Sequence, residues 1–227
     1  MLRPRNATLL LLALFAAGPL AAAGAPARDL FDEIYGKSRG IEASMTTVTA
    51  RFTETTTTAL LTRPVLSHGT LAVVRPDRIV LRYANPEPHV VLIDGTQMTF
   101  AWPSRGLTQR SDIGTVRKRI DKYFLDKNPD ELRRAFKIAA VSATDRPNTW
   151  RITMQPTRSQ ISQGLSRLQL WIDRSSLLLS AMQMDFPNGD TKLMTFEDVQ
   201  VNGTVDPKLF SIEATTDPTP VATRGRQ

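Results

Sequence analysis

Hydrophobic residues recur along this chain with two different periods. From Arg28 to about Met45, in "RDLFDEIYGKSRGIEASM", the residues Leu30, Phe31, Ile34, Tyr35, Ile41 and Met45 fall near helical spacing. Asp29, Asp32 and Glu33 lie in the first turn, where the helix dipole favours acids. This predicts one helix, weakened near Gly40, with an apolar stripe that must cover something. After Met45 the period drops to two. In "TTVTARFTETTTT", Val48, Ala50 and Phe52 alternate with Thr and Arg, which predicts a half-buried strand rich in β-branched residues.

Alternation continues over residues 66–75 and 78–84 on either side of an Arg-Pro-Asp turn, with Ile79, Leu81 and Tyr83 on one face. Residues 89–94 and 97–102 flank Asp94-Gly95, a hairpin signal, with Met98, Phe100 and Trp102 alternating beyond it, and a short strand follows Arg105. Between Gly114 and Lys137 the alternation stops. "TVRKRIDKYFLDKNPDELRRAF" reads as two short helices divided at "KNPD", where Asn128 caps and Pro129 takes the first helical position. Ile120, Tyr123 and Phe124 give the first of these an apolar face, and Leu132 and Phe136 do so for the second. Period two returns in "WRITMQP", "LQLWID", "SAMQMDF" and, after the turn "PNGD", in "TKLMTFEDVQVN". "VDPKLF" predicts a closing turn that buries Phe210, and residues 155–164 read as loop.

These elements predict a mainly β, α+β architecture: about ten or eleven antiparallel strands with three short helices. A sheet of that width curls rather than staying flat. The expected form is an unclosed half-barrel whose open side is covered by a helical lid.

The chain has 227 residues, enough for one sizeable domain with a core. Its start has the order of a secretory signal: Arg3 and Arg5, an apolar run over Leu9 to Ala17, then small residues at Ala21 to Ala23. That run is well short of the ~20 residues a spanning helix needs. The expected organisation is a signal peptide over 1–23, with cleavage after Ala27 the alternative to Ala23, a domain over 24–212, and a polar, disordered tail over 213–227. The absence of cysteine excludes disulfides, thiolate metal sites, thiol catalysis and a lipid-modified N-terminal cysteine. Export without disulfides points to the periplasm of a Gram-negative bacterium. Lys and Arg number 29 against 22 Asp and Glu, and for an exported protein this excess fits an anionic lipid surface or an acidic partner rather than nucleic acid.

Candidate chemistry is sparse. His68 and His89 lie outside any metal-ligand spacing, and there is no nucleophile elbow, HExxH motif, glycine-rich phosphate loop or dinucleotide fingerprint. Glu197 and Asp198 are sequence neighbours and do not converge as a catalytic pair by spacing. We therefore expect no enzyme, no metal and no cofactor. Methionine stands out instead: Met98, Met154, Met182, Met184 and Met194 all fall in strand segments, where an adaptable thioether suits either core filling or irregular apolar ligands.

The stretches "ARFTET" and "GTLAVVRPDRIVLRYANPEPHVVLIDGTQMTFAWP" resemble the periplasmic outer-membrane lipoprotein carrier family (LolA). The matching positions are Phe52, Gly69, Leu71, Arg75, Pro76, Tyr83, Pro86, Asp94, Gly95 and Trp102, joined in the second half by Gly189, Phe196, Asn202 and Phe210. The resemblance implies an unclosed barrel with a helical lid, an apolar interior for the acyl chains of lipoproteins, and movement between an inner-membrane releasing complex and an outer-membrane receptor, with only transient membrane contact. It also implies that Arg75, in the Arg-Pro turn, hydrogen-bonds to the lid and controls its opening. Glu54 stands where the family has Gln, and the segment 114–137 is more basic than the family pattern.

The expectation is a monomeric carrier of acylated lipoproteins or lipid. Arg75 would act as lid latch, Phe52, Leu71, Leu81, Met98, Phe100, Ile152, Leu170 and Met184 would line the acyl-chain cavity, and Ile120, Tyr123 and Phe124 would form the lid's apolar face. A carrier of a non-protein envelope lipid and a non-transport interaction module with a filled interior remain open beside it. Arg78 and Arg82 read as solvated surface charges.

Overall fold

A computed structural model describes residues 29–115, 117–118 and 128–212. The expected signal peptide, the expected polar tail and the three apolar lid residues Ile120, Tyr123 and Phe124 lie outside the described residues.

Helix α1 spans Leu30–Ser44 without a break at Gly40. Asp29 caps it by accepting from the Asp32 amide at 3.1 Å, and a Glu33–Lys37 pair at 2.5 Å supports its exposed side. Eleven strands follow: β1 Thr47–Thr57, β2 Val65–Val74, β3 Arg78–Asn85, β4 His89–Asp94, β5 Gln97–Trp102, β6 Leu107–Asp112, β7 Phe136–Ser142, β8 Thr149–Pro156, β9 Arg167–Asp173, β10 Leu179–Asp185 and β11 Thr191–Val201. Between β6 and β7 lies α2, Pro129–Ala135, whose Asn128 and Glu131 form the reciprocal cap that the Asn-Pro signal predicts. A four-residue helix, α3, Ser159–Ser162, interrupts the segment expected to be loop.

All eleven strands form one antiparallel sheet in the order β6-β5-β4-β3-β2-β1-β11-β10-β9-β8-β7. Each strand pairs with its neighbour in sequence except at two places. β1 pairs with β11, which joins the two halves, and β6 and β7 occupy the two free edges, so the sheet is an unclosed half-barrel.

Strand β7 corrects the expectation for Phe136. This residue ends α2 as its C-cap and begins β7, because its extended backbone pairs it with Pro156. Its ring is nonetheless 1% exposed, within the cluster where Phe31 and Ile34 of α1 meet Leu132, Ile152, Met154 and Leu168. Each such side chain withdrawn from water contributes about 1.5–3 kcal/mol. Arg133 adds a polar tie, bonding Asp29 at 2.6 Å and Asp32 at 2.9 Å across the two helices.

A second cluster covers the opposite face of the sheet. The closing turn at Pro207–Phe210 buries Phe210 against Ala72, Val80, Val90 and Ala101. Here the structure corrects the expectation that Arg78 and Arg82 are solvated surface charges. The Arg82 guanidinium donates to the carbonyls of Leu209 at 2.9 Å and of Ser211, and Arg78 lies over the Phe210 ring at 4.3 Å. They clamp the end of the domain because β3 turns its odd positions to the other face, leaving both arginines on the side where the chain returns. Burial pulls the Arg82 guanidinium below its ordinary value.

Candidate functional site

Residues directly opposite one another on paired strands point to the same side, and successive residues alternate. One rank therefore runs Phe100, Val91, Leu81, Leu71, Ala50 across β5 to β1. Another runs Ile152, Leu170, Met182, Met194, Glu54 across β8 to β1. Ala50, Phe52 and Glu54 share a side of β1, so both ranks belong to one face, the one that α1 covers. We call it the inner face. Met98 is in phase with Phe100, and Met184 with Met182. All eight residues named for the cavity thus share this face, as do the five strand methionines.

The inner face is filled unevenly. Towards β7 it is packed beneath α1 and α2. Towards β6, Leu71, Leu81, Val91, Met98 and Phe100 are only half-buried and, among the described residues, belong to neither core cluster. Hydrophobic side chains left in this state form a continuous apolar surface.

Across this surface runs a band of rings. Phe52, 2% exposed, meets Tyr83 edge-on at 4.9 Å; Tyr83 stacks on His89 at 4.1 Å; and His89 lies 5.9 Å from Trp102. Phe52 can lie flat across β2 because its partner there is Gly69: a Cβ at that position would sit 2.6 and 2.8 Å from the Phe52 ring and against the Arg82 carbonyl.

One charge is buried in this band. Glu54 is 5% exposed, and its carboxylate accepts from the Tyr83 hydroxyl at 2.8 Å and Thr56 Oγ1 at 3.1 Å while Lys192 Nζ pairs with it at 3.0 Å. Burial, and then the Glu54 carboxylate beside it, push the Tyr83 hydroxyl well above its usual range. In sequence Glu54 stands out only as a departure from the family's Gln, with no partner in view. The signal was present, since Glu54 keeps the same period as Ala50 and Phe52, but Lys192 and Tyr83 meet it only across strands. A cavity of about 460 Å³ opens beside this cluster, lined by Thr56, Gln163, Phe186 and Lys192 among others.

Arg75 lies at the other end of the strands, just after β2. Its guanidinium is 3.5 Å from the Glu42 carboxylate in the last turn of α1, and its amide donates to the Thr46 carbonyl at 2.9 Å. Nearby, Arg117 donates to the carbonyls of Pro76 at 3.2 Å and Gly95 at 3.3 Å. Two helical segments thus contact the turns at this end through arginine. His68 faces Thr53 at 3.1 Å, and among the described residues no group of three or more His, Cys, Asp or Glu could hold a metal ion. Glu197 and Asp198 both pair with Arg51.

The family model for outer membrane lipoprotein carrier protein LolA matches residues 43–213. No curated protein matches the chain. Solved structures similar to it include a DUF1329 family protein from Desulfovibrio piger, 9% identical, covering 81% of this chain and 98% of that one with a TM-score of 0.42. A LolA superfamily protein from Nitrosomonas europaea is 9% identical, covering 79% and 96% with a TM-score of 0.38. The lipoprotein LppX from Mycobacterium tuberculosis is 14% identical, covering 77% and 96% with a TM-score of 0.44.

Proposed function

The chain belongs to the outer membrane lipoprotein carrier (LolA) family, and from that membership we propose that it is a soluble periplasmic carrier that shelters acyl chains on its inner face. The observation that supports this is the half-buried apolar surface of Leu71, Leu81, Val91, Met98 and Phe100, set beside a region of the same face that α1 and α2 pack against. The physical need is large: each methylene hidden from water contributes about 0.8 kcal/mol, so an acyl chain of about 15 methylenes costs roughly 12 kcal/mol to leave exposed.

In this reading the lipid enters along the band of rings, the methionines adapt to its shape, and catalysis plays no part. Arg75 is the latch: its pairing with Glu42 ties the turn after β2 to the end of α1. The cargo is the acylated end of a lipoprotein, received from an inner-membrane releasing complex and given to an outer-membrane receptor.

Native mass spectrometry of the protein taken from its own cell envelope tests the proposal. Co-purifying acylated lipoprotein is the expected result. A non-protein lipid in its place would keep the carrier and change the cargo. A chain with no ligand and no uptake of a fluorescent fatty acid would leave an interaction module.

A further inference from the structure

Among the described residues, three of the five large hydrophobic side chains that stand exposed lie in one hairpin: Leu60 at 92%, Leu61 at 49% and Leu66 at 52%. The first two form the tip between β1 and β2. Thr58 holds this tip in a turn, its carbonyl accepting from the Leu61 amide at 3.1 Å and its hydroxyl from the Leu60 amide at 3.4 Å. Leu60 stands almost wholly in solvent and Leu61 about half so, and among the described residues neither belongs to a core cluster. Arg63 follows on the same tip, exposed and without a carboxylate partner among the described residues.

The tip belongs to the end of the half-barrel that carries the cavity of about 460 Å³, whose lining joins Thr56 at the close of β1 to Gln163 after α3 and to Phe186 at the β10–β11 turn. Arg134 and Arg158 are exposed at the same end, and no carboxylate pairs with either among the described residues. Consecutive exposed leucines with Arg63 on the same tip, at an end of the sheet that carries further cations, match the boundary of an anionic bilayer, with acyl chains below and phosphates above.

We propose that the β1–β2 tip inserts Leu60 and Leu61 into the surface of an anionic membrane, with Arg63 on the headgroup phosphates, and so turns the cavity-bearing end towards the lipid. This rests on the carrier reading for its purpose, since it names the end through which cargo passes, but the contact itself is tested separately.

The test is co-sedimentation of the full protein, as its cells process it, with vesicles of phosphatidylglycerol and phosphatidylethanolamine, and with phosphatidylcholine vesicles for comparison. Wild type should favour the anionic vesicles. Leu60→Ser with Leu61→Ser should weaken binding more than about tenfold, and Arg63→Gln about fivefold on anionic vesicles alone. Val141→Ser, which alters another exposed apolar residue at the opposite end of the sheet, should change nothing. Wild type that ignores both vesicles, or a leucine variant that binds like wild type, overturns the proposal; the first result points to a partner protein's apolar pocket instead. Fatty-acid uptake by the same proteins keeps the two readings apart. Leucine-dependent vesicle binding by a chain that takes up no fatty acid supports the tip and removes only the carrier.

Discussion

Gly69→Ala perturbs the inner face by a single methyl group. Its Cβ would lie 2.6 and 2.8 Å from two atoms of the Phe52 ring and press on the carbonyl of Arg82. Ordinary contacts between carbons begin near ~3.5 Å, so the ring must shift by most of an ångström. The ring can tilt towards Tyr83, but the carbonyl belongs to the β2–β3 ladder and cannot. Overpacking of this kind costs about 1–3 kcal/mol, and the backbone contact puts this site at the upper end. Alanine also restricts the unfolded chain, which returns about 0.4–1 kcal/mol. The net expectation is a loss of about 2 kcal/mol, roughly 30-fold in the ratio of folded to unfolded protein. Urea denaturation followed by fluorescence of the three tryptophans should show a lower midpoint with an unchanged slope. Phe52→Leu should recover part of the loss, since it removes the ring and leaves the carbonyl contact. A Gly69→Ala protein within ~0.5 kcal/mol of wild type would refute the packing argument, and an equal loss in the Phe52→Leu background would acquit the ring.

Four further outcomes follow from particular contacts. Lys192→Met leaves the buried Glu54 carboxylate with only neutral donors; because Lys192 is a third exposed, the loss should be about 1–2 kcal/mol rather than the ~3–5 of a fully buried pair, and Lys192→Arg should retain most of it in the same denaturation assay. Arg82→Met removes charge-assisted bonds to the closing turn and should cost about 2 kcal/mol, with hydrogen exchange rising at residues 207–212 before elsewhere. Arg75→Leu breaks an exposed pair, so stability should move by less than ~1 kcal/mol, while fatty-acid binding stays equal or tightens and release slows; unchanged release kinetics would remove Arg75 from the mechanism. Asp29 is held below its ordinary value: burial opposes the shift, but the Arg133 hydrogen bond and the Asp32 amide outweigh it. A lowered carboxylate stabilises above its unfolded value of ~3.9 and loses that contribution as pH falls through the folded one. Acid titration should therefore show Asp29→Asn lacking a component of α1 stability that wild type loses only below about pH 4.

Much of the sheet was readable because period two survives wherever one face meets solvent. Asp94-Gly95 and Pro187-Asn188-Gly189 marked turns that need positive φ at glycine, which Gly95 and Gly189 adopt. The capping box at Asn128 was legible for a similar local reason. Strand β7 was not: "FKIAAVS" is short, follows a helix directly and takes its extended form from pairing with β8. The contacts of Arg82 and Arg78 are not legible in sequence because the segment that covers them returns more than a hundred residues later. Leu60 and Leu61 look in sequence like any buried apolar pair between strands, and only the fold leaves them exposed.

By itself the sequence determined the alternation of faces, the turns and the choice of an antiparallel sheet, because these depend on spacing and on residues a few positions apart. The tertiary structure alone decided that β1 lies against β11, since that pairing joins segments nearly 150 residues apart and no local pattern encodes it. That one long-range pairing places Glu54 beside Lys192 and carries the inner face unbroken from Phe100 to Ile152. A charge buried among apolar strands persists only where folding brings it partners, and those partners are a property of the assembled sheet.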